Sequence, residues 1–433
     1  MTIGTLYFNS MAKRLLIILI AILSILLIAF FGWYFIVREP EFSVGEAVRN
    51  SLPFGSGEDI NIPALPTDGE LGDMPGAELP LDEFGSPTNS LFRISPTPVA
   101  GFVTFKRGVD SMVRYVDRAT GHIYDFLLPS GTGAALFVEK IKVTNNTLPK
   151  IYEAYFRPDG NAVILRSLED ELDIVKNISL TLTPPQGTST DALYTVSSTA
   201  LRGDINAVTV GLSAQAGSGN ALFYTLRDTS SIVSAAFNGT GAKTILSSPF
   251  SNWNLSAALN RLVVYTKASA DVPGYAYTLS TSGGTLAKIL GPLNGLMAIP
   301  NNLGNRVVYS YTDNNKTRAF AKNLTNNTLT EILPATLAEK CTWSIKQVGM
   351  LFCAAPIDSL GPEEPDNWYR GVTHFSDRIW RFDTNNDVAQ VLVEPKQNLG
   401  TDIDVVEPKL SPDEDYLIFI NKTDLSLWAL KLD

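Results

Sequence analysis

The sequence predicts an all-β fold, a β-propeller preceded by one N-terminal transmembrane helix. Two observations indicate this. From about Val99 onwards, short apolar, β-branched and aromatic runs alternate with clusters of Gly, Asn, Asp and Ser, and no amphipathic helical period exceeds a turn or two. Residues 15–37, which begin at Leu15 and end at Val37, form an uncharged apolar run of 23 residues. About 20 such residues suffice to cross a bilayer.

The composition limits the classes of function. The chain has 433 residues, of which 45% are hydrophobic and 18% charged, and its net charge is −10. This composition is typical of a globular protein, and the negative charge disfavours nucleic acid as a partner. The chain has two histidines, His122 and His374, so imidazole-based catalysis and metal binding have few candidate residues. No cofactor is predicted.

The N-terminal segments predict that the protein is anchored in the cell membrane. Lys13 and Arg14 precede the apolar run and acidic residues follow it, so the positive-inside rule places residues 1–14 in the cytoplasm as a short tail. Residues 15–37 then act as a single-pass signal-anchor, and the rest of the chain lies on the extracytoplasmic side of the cell membrane. A cleaved signal peptide is the alternative, but its apolar region is shorter, about 7–15 residues, and ends at an A-x-A-like site. Met11 is an alternative start of the chain.

Residues 38–94 differ in composition from the rest of the chain. They are rich in Pro, Gly and acidic residues, as in "LPTDGELGDMPGAELPLDEFGSPTNS", and show no sustained strand or helix period. Such a segment predicts an extended, disordered linker. The alternative is a partner-binding motif with Phe54 or Phe84 as its anchor.

Residues 95–433 contain a recurring unit, which predicts the propeller domain. The second strand of the unit is its most regular part, and its copies recur at intervals near the ~40–50 residues of propeller blades. The copies are "MVRYVD" (112–117), "AVILRS" (162–167), "ALFYTL" (221–226), "RLVVYTK" (261–267), "RVVYSYT" (306–312), "MLFCAA" (350–355) and "YLIFINK" (416–422). A third strand follows after a turn, so the two form a hairpin. Seven blades are predicted, with six or eight as alternatives, and a segment around residues 91–95 or 98–105 completes the last blade.

Two of the units carry a recognisable turn motif. The stretches "FRPDGNAVIL" (156–165) and "LSPDEDYLIF" (410–419) resemble the S-P-D-G-x-x-[IL]-x-[FY] signature of WD40-like repeats in TolB-type β-propellers. The chain also resembles uncharacterised single-pass bacterial membrane proteins that carry a propeller with a "KC-x-W" unit. This resemblance implies an extracytoplasmic propeller without a known activity, because propellers host many unrelated functions.

Both cysteines of the chain lie in the sixth unit, within "KCTWSIKQVGMLFCAAP" (340–356). A turn near Gln347 places Cys341 and Cys353 opposite each other on two antiparallel strands, at about 4.5–5.5 Å between Cα atoms, which a disulfide can bridge. We therefore predict a structural disulfide, since the expected compartment is oxidising. Two buried free thiols, or a redox or metal site, are the alternatives.

One stretch imitates a calcium-binding loop. In "DTNNDVAQVLVE" (383–394), Asp383, Asn385, Asp387 and Glu394 occupy positions 1, 3, 5 and 12 of the calcium pattern, but position 6, which needs Gly, is Val388. A polar turn between two strands accounts for the same residues, and a continuing strand cannot return Glu394 to an ion. No metal site is predicted here.

An insertion at residues 356–372 of the sixth unit is the candidate binding segment. It is a long loop with Trp368, Tyr369 and Arg370, and these residue types are enriched at binding hot spots. Alternatively, the two aromatic side chains fold back and cover the edge of a blade.

These features favour a membrane-anchored, extracytoplasmic propeller that acts as a non-catalytic binding or scaffolding module for a cell-envelope component, either a protein or a glycan. The alternative is a hydrolase or lyase that acts on envelope glycans through carboxylates at the central channel, with Arg202, Asp204 and Asp404 as candidates. The chain has no G-x-S-x-G elbow, and neither histidine has the local sequence of a catalytic triad. The sequence predicts no oligomeric state.

Overall fold

The computed structural model describes residues 90–432 apart from 130–139, 170–173, 187–192, 215–216, 218–220, 228 and 251. The predicted cytoplasmic tail, the signal-anchor helix and the linker up to residue 89 lie outside the described residues. Within the part of the chain that is described, no helix has both the length and the apolar composition to cross a membrane.

Strands dominate the described residues. The first half contains β1 (Leu91–Ser95), β2 (Val99–Arg107), β3 (Asp110–Asp117), β4 (Ile123–Leu127), β5 (Lys140–Lys142), β6 (Ile151–Phe156), β7 (Ala162–Glu169), β8 (Ile174–Thr183), β9 (Thr195–Ala200), β10 (Ile205–Val210), β11 (Leu222–Leu226), β12 (Ser231–Ala235) and β13 (Lys243–Ser247). The second half contains β14 (Trp253–Ala257), β15 (Arg261–Thr266), β16 (Pro273–Ser280), β17 (Ala287–Pro300), β18 (Arg306–Asp313), β19 (Lys316–Asn323), β20 (Leu329–Glu331), β21 (Cys341–Trp343), β22 (Met350–Pro356), β23 (Asp377–Asp383), β24 (Val388–Val393), β25 (Val405–Leu410), β26 (Tyr416–Asn421) and β27 (Leu427–Lys431). Three short helices accompany them, a 3-10 helix (Ala338–Lys340), α1 (Asp366–Tyr369) and α2 (Pro395–Leu399).

The strands form antiparallel meanders. Four of the sheets are β2 to β5, β6 to β9, β10 to β13 and β21 to β24, and in a fifth β1 joins β25, β26 and β27. The remaining sheet runs from β14 to β20 because β17, which has 14 residues, pairs with β16 along its first half and with β18 along its second half. This sheet therefore contains two four-strand meanders that share β17.

The first strands of successive meanders contact one another in a closed series. β2 contacts β6, and the series continues through β10, β14, β17, β21 and β25 back to β2. Close approach of β2 and β6 depends on Gly101, where a Cβ atom would overlap the carbonyl oxygen of Ala154. Antiparallel meanders that repeat radially and close on themselves are the β-propeller architecture. The structure thus confirms the predicted all-β propeller fold.

The second strands of the meanders lie in the interior, which explains their apolar sequences. Every residue of β11 (LFYTL) and of β26 (YLIFIN) is buried. A strand that is covered on both faces needs apolar residues at consecutive positions, whereas a half-exposed strand needs them at alternate positions. Burial of this apolar surface is the main stabilising contribution to such a fold.

The domain is closed by its first strand, β1. Leu91 pairs with Leu430 and Arg93 pairs with Trp428, which adds β1 to the sheet that contains β27. Residues 91–95 are one of the two segments that the sequence offered for this role. The strand starts inside the predicted linker (38–94), so the ordered β structure begins at Leu91 and not at residue 95. A strand of five residues directly after a Pro/Gly-rich segment has too short a pattern to be separated from it by composition.

Candidate binding cavity on the propeller axis

A cavity of about 530 Å³ lies where the first strands of the meanders converge. Its lining includes at least one residue from each of these strands, among them Phe102 (β2), Tyr155 (β6), Val208 (β10), Leu255 (β14), Ile299 (β17), Cys341 (β21) and Val406 (β25). Because every first strand contributes, the cavity lies on the axis of the ring. Its volume falls within the ~300–1,000 Å³ that is usual for ligand pockets. We refer to it as the axial cavity.

The wall of the axial cavity is mostly apolar, and its charged groups are few. Glu407 and Lys409 line it on β25, and the Lys409 ammonium lies 3.1 Å from a Glu407 carboxylate oxygen. Lys409 Nζ also donates a hydrogen bond of 2.9 Å to the carbonyl oxygen of Phe102. Leu212, which also lines the cavity, is 41% exposed, so solvent reaches the cavity from the ends of the first strands.

The insertion (residues 356–372) closes the opposite end of the axial cavity. It carries α1, and the Trp368 side chain on this helix is 2% exposed, lines the cavity and stacks on Phe375 with 6.5 Å between ring centroids. Trp368 and Tyr369 also pack against each other at 5.6 Å. Trp368 therefore forms the floor of the cavity, with Tyr369 packed against it.

Hydrogen bonds to several meanders fix the insertion in this position. The Asp366 carboxylate accepts a 2.6 Å bond from the backbone N–H of Ala270, after β15. The Thr312 hydroxyl, on β18, donates to the Glu364 carbonyl oxygen at 3.0 Å, and the Trp368 N–H donates to the Glu364 carboxylate at 2.9 Å. Because these partners belong to different meanders, the insertion crosses the axis and is more than the cover of a single blade.

A cluster of buried charges lies behind the floor. Lys340 forms ion pairs with Asp377, at 2.8 Å, and with Asp404, and the side chains of all three are 0% exposed. The Trp368 indole N–H lies 3.1 Å from both carboxylate oxygens of Asp404. Lys422 Nζ lies 5.5 Å from the Trp368 ring centroid and has no hydrogen-bond partner among the described residues. We call Lys340, Asp377, Asp404 and Lys422 the buried ion cluster.

The pKa values in the buried ion cluster are shifted by burial and by the neighbouring charges. Burial raises the pKa of Asp377 from 3.8 to about 6, and the negative charge of Asp404 adds to this shift while Lys340 opposes it. Burial disfavours the charge of Lys340, but Asp377 and Asp404 more than compensate, so its pKa is raised. Burial lowers the pKa of Lys422. Two carboxyl groups thus share the ammonium of Lys340.

A partly buried carboxyl group, that of Glu339, lines the axial cavity itself. Its Oε1 accepts hydrogen bonds from the hydroxyls of Tyr369, at 2.7 Å, and Tyr265, at 3.1 Å. Burial raises the pKa of Glu339, and the two tyrosine hydrogen bonds oppose this shift. Burial and the nearby carboxylate raise the pKa of both tyrosines well above 10, so their hydroxyls keep the hydrogens that they donate.

The three residues of the predicted binding segment occupy different environments. Trp368 is buried and Tyr369 reaches Glu339, whereas Arg370 is exposed and donates a 2.7 Å hydrogen bond to the Asn367 side chain. The two aromatic side chains point into the protein, but they cover the axial cavity and not the edge of one blade, which was the alternative interpretation. The three residues do not form one exposed surface.

The two cysteines are placed as the strand register requires. Cys341 on β21 is directly opposite Cys353 on β22, and the two residues form a disulfide with 4.1 Å between their Cα atoms. Both are buried, at 4% and 1% exposed. Since Cys341 lines the axial cavity, the disulfide ties this part of the wall to the next strand.

The calcium-like stretch forms a hairpin turn between β23 and β24. Asp383 accepts a 2.9 Å hydrogen bond from the backbone N–H of Asn385, while Glu394 lies beyond the far end of β24 and accepts a 2.6 Å bond from Arg378. Asp387 has a φ of 56° in the turn. Within the described ranges, no group of three or more His, Cys, Asp or Glu residues is arranged to hold a metal ion.

The candidate residues of the enzyme alternative do not meet in the axial cavity. Arg202 and Asp204 form an ion pair with each other next to β10, and both are partly exposed. Asp404 belongs to the buried ion cluster, behind Trp368. None of the three is among the residues that line the cavity.

Sequence reasoning missed the Glu339 site. Glu339 and Tyr265 lie 74 positions apart in the sequence, and Tyr369 lies another 30 positions further on. No local spacing connects residues that meet only when the ring closes. The one available signal was the presence of a Glu–Lys pair directly before the apolar strand that begins at Cys341, and a solvated pair of charges gives the same pattern.

Comparisons with known proteins give no family. No protein-family model matches the chain, and no curated protein sequence matches it. Similar solved structures include YCF48 bound to a D1 peptide, with 10% identity and a TM-score of 0.48 over 79% of this chain and 96% of that one. The β-propeller domain of the Trilobed protease from Pyrococcus furiosus has 8% identity and a TM-score of 0.45, covering 79% of this chain and 97% of its own. TolB from Acinetobacter baumannii has 9% identity and a TM-score of 0.40, covering 77% and 79% respectively. The propeller fold is established by the strand pairing and by the closed series of first strands.

Proposed function

We propose that the protein is a non-catalytic binding module that captures a cell-envelope component in the axial cavity of a membrane-anchored propeller. The observation that carries this proposal is the cavity of about 530 Å³, which is open at one end and closed at the other by Trp368. An apolar cavity with a few polar groups is the usual form of a ligand site. The propeller has seven blades in this interpretation, with β17 shared between two of them.

The charged groups of the axial cavity favour binding over hydrolysis. A propeller glycosidase would need two carboxyl groups that face one bond, one of them as an acid and the other as a base or nucleophile. Of the two carboxylates that line the cavity, Glu407 is paired with Lys409, and Glu339 is held by two tyrosine hydroxyls. Because Glu407 is neutralised by Lys409, the cavity does not present two free carboxyl groups to one bond.

The proposed membrane anchoring is based on residues 15–37 and on the charges that flank them. An extracytoplasmic position is supported by the disulfide between Cys341 and Cys353, since such bonds persist in oxidising compartments. Protease treatment of intact cells tests this. We expect the propeller to be digested or released while residues 1–14 stay protected, and a propeller that is digested only after cell lysis would overturn the address.

In-cell photocrosslinking tests the binding site. A photoreactive amino acid at Leu212, at the mouth of the cavity, is compared with one at Leu329, which is 57% exposed on β20 and does not line the cavity. We expect a specific crosslinked species from position 212 and not from position 329. The variant Ser256→Trp, which places a large side chain in the cavity, should abolish this species. A crosslink that persists in a folded Ser256→Trp protein would show that the cavity is not the site.

A further inference from the structure

The floor of the axial cavity presents one oxygen atom without a hydrogen bond. Glu339 Oε1 is occupied by the hydroxyls of Tyr265 and Tyr369, whereas Oε2 accepts no hydrogen bond from any described residue. The 3-10 helix that carries Glu339 leads directly into β21, so the carboxyl group is held by the backbone of the wall as well as by two tyrosines. The position of this group is therefore fixed before any ligand arrives.

No basic side chain neutralises Glu339 among the residues that the structure describes. The basic residue that lines the cavity, Lys409, is paired with Glu407. The adjacent Lys340 forms ion pairs with Asp377 and Asp404, and its ammonium lies 5.2 Å from the Trp368 ring centroid. The lining thus contains two carboxyl groups and one ammonium, which leaves an excess of one negative charge at the floor.

An ionised carboxylate inside an apolar cavity is costly unless a cation or hydrogen-bond donors compensate it. Two tyrosine hydroxyls supply part of this compensation, and burial still raises the pKa of Glu339. A ligand with a positive charge would supply the rest. The walls set the shape of the remainder of the ligand, because Phe102, Leu255 and Ile299 favour an apolar stem.

We propose that the axial cavity binds a primary alkylammonium group, with its nitrogen at Glu339 Oε2 and its apolar stem along the cavity wall. The proposal rests on the cavity being the binding site. An ammonium N–H can donate to the free lone pairs of Glu339 Oε2, and a charge-assisted hydrogen bond is stronger than a neutral one. A free alkylamine and the side chain of a lysine in a peptide both present this group.

Calorimetric titration of the full chain in detergent tests the charge requirement. The probes are n-butylamine, n-butanol and butyrate, each of which has four carbon atoms and a different head group. We expect butylamine to bind and the other two to bind at least about tenfold more weakly, since they lack the charge-assisted bond. Glu339→Gln, which keeps the shape of the side chain, should weaken butylamine binding by roughly ten- to a hundredfold.

A matched control is Glu331→Gln, since Glu331 is 38% exposed, pairs with Arg318 and lies outside the cavity lining. It should leave butylamine affinity unchanged. Equal binding of butylamine and butanol, or equal butylamine affinity in wild type and a folded Glu339→Gln variant, would overturn the alkylammonium proposal. If Ser256→Trp still removes the in-cell crosslink at position 212 in that case, the cavity remains the binding site and only the ligand class is wrong.

Two peptides distinguish the sources of the ammonium group. The first compound is lysine with an acetylated α-amino group and a methylamide at its carboxyl end, so its ε-ammonium is free. The second is the norleucine analogue, which has the same apolar stem without the charge. Binding of the lysine compound alone, with loss in Glu339→Gln, assigns the site to a lysine side chain. Binding of butylamine without binding of either peptide assigns it to a free amine. Failure of both ammonium probes overturns the proposal, and the photocrosslinking result then stands independently.

Discussion

Replacement of Lys340 by Met removes the ammonium that is ion-paired in the buried ion cluster while it keeps most of the side-chain volume. Lys340 is fully buried, and its ammonium is the group that Asp377 and Asp404 share. After the substitution both carboxyl groups stay at 0% exposure with no ammonium between them. The protein must then either protonate them or admit water.

The expected loss is about 3–5 kcal/mol of unfolding free energy, the usual result of removing one partner from a buried ion pair. The hydrogen bonds that remain to the two carboxyl groups reduce this loss of unfolding free energy. Asp404 keeps the Trp368 indole N–H and the Phe375 backbone N–H, both at 3.1 Å, and Asp377 keeps the Val405 N–H at 2.7 Å. These bonds favour the lower part of that range.

Urea denaturation of the full chain, followed by circular dichroism, measures the loss. The matched control is Lys396→Met, because Lys396 pairs with Asp402 at 3.1 Å where both side chains are more than half exposed. Water and salt screen that pair, so its loss should shift the denaturation midpoint far less. The double variant Lys340→Met with Asp404→Asn should recover stability, since it removes one uncompensated charge. Equal midpoints for Lys340→Met and Lys396→Met would refute the reasoning.

Three further changes have definite expected outcomes. The folded pKa of Asp377 is raised to about 6 from 3.8, so the native state binds this proton more tightly than the unfolded chain. The contribution of this group to stability therefore falls as the pH rises from about 4 to about 6, and Asp377→Asn should remove that slope in denaturation midpoints measured across the range; an unchanged slope contradicts the assignment. Butylamine should bind with its full affinity above the raised pKa of Glu339, and its affinity should fall as the pH drops through that pKa. The carboxylate of Glu339 is then protonated, whereas the ammonium stays charged throughout. A pH-independent affinity in calorimetry contradicts this. Trp368→Ala should cost about 3–5 kcal/mol in the same denaturation assay, because it opens a void in the cavity floor, and a loss below about 1 kcal/mol would show that the floor collapses without it.

The strands of the propeller could be predicted from the sequence because each one is a local pattern. A second strand such as "RLVVYTK" shows consecutive apolar residues between turn residues, and the structure places β15 at Arg261–Thr266. The turn that separates Cys341 from Cys353 likewise follows from a short stretch of chain. Information of this kind lies within about ten residues, and the side-chain period of a strand is sufficient to read it.

The inward direction of Trp368 could not be predicted in the same way. Tryptophan and tyrosine in a long loop are typical both of exposed hot spots and of segments that fold onto the protein, because both environments favour large side chains with one polar atom. The decisive interaction is the bond from the Trp368 indole to Asp404, which lies 36 positions further along the chain. A single sequence shows neither this distance nor its direction.

The axial cavity illustrates the more general limit. A propeller brings one position from each blade to its axis, so the residues that form a site are separated by whole blades in the sequence. Glu339 acquires its properties from Tyr265, two meanders earlier, and from Tyr369, in an insertion of its own meander. Read locally, Glu339 and Lys340 are two charges in front of a strand, and both should be solvated. The ring places Glu339 in the lining of the cavity and Lys340 in the buried ion cluster. The chemistry of such a site therefore depends on the contacts that form when the propeller closes. The variants Glu339→Gln and Lys340→Met separate the roles of the two residues. The first should change ligand binding with little change in stability, and the second should change stability.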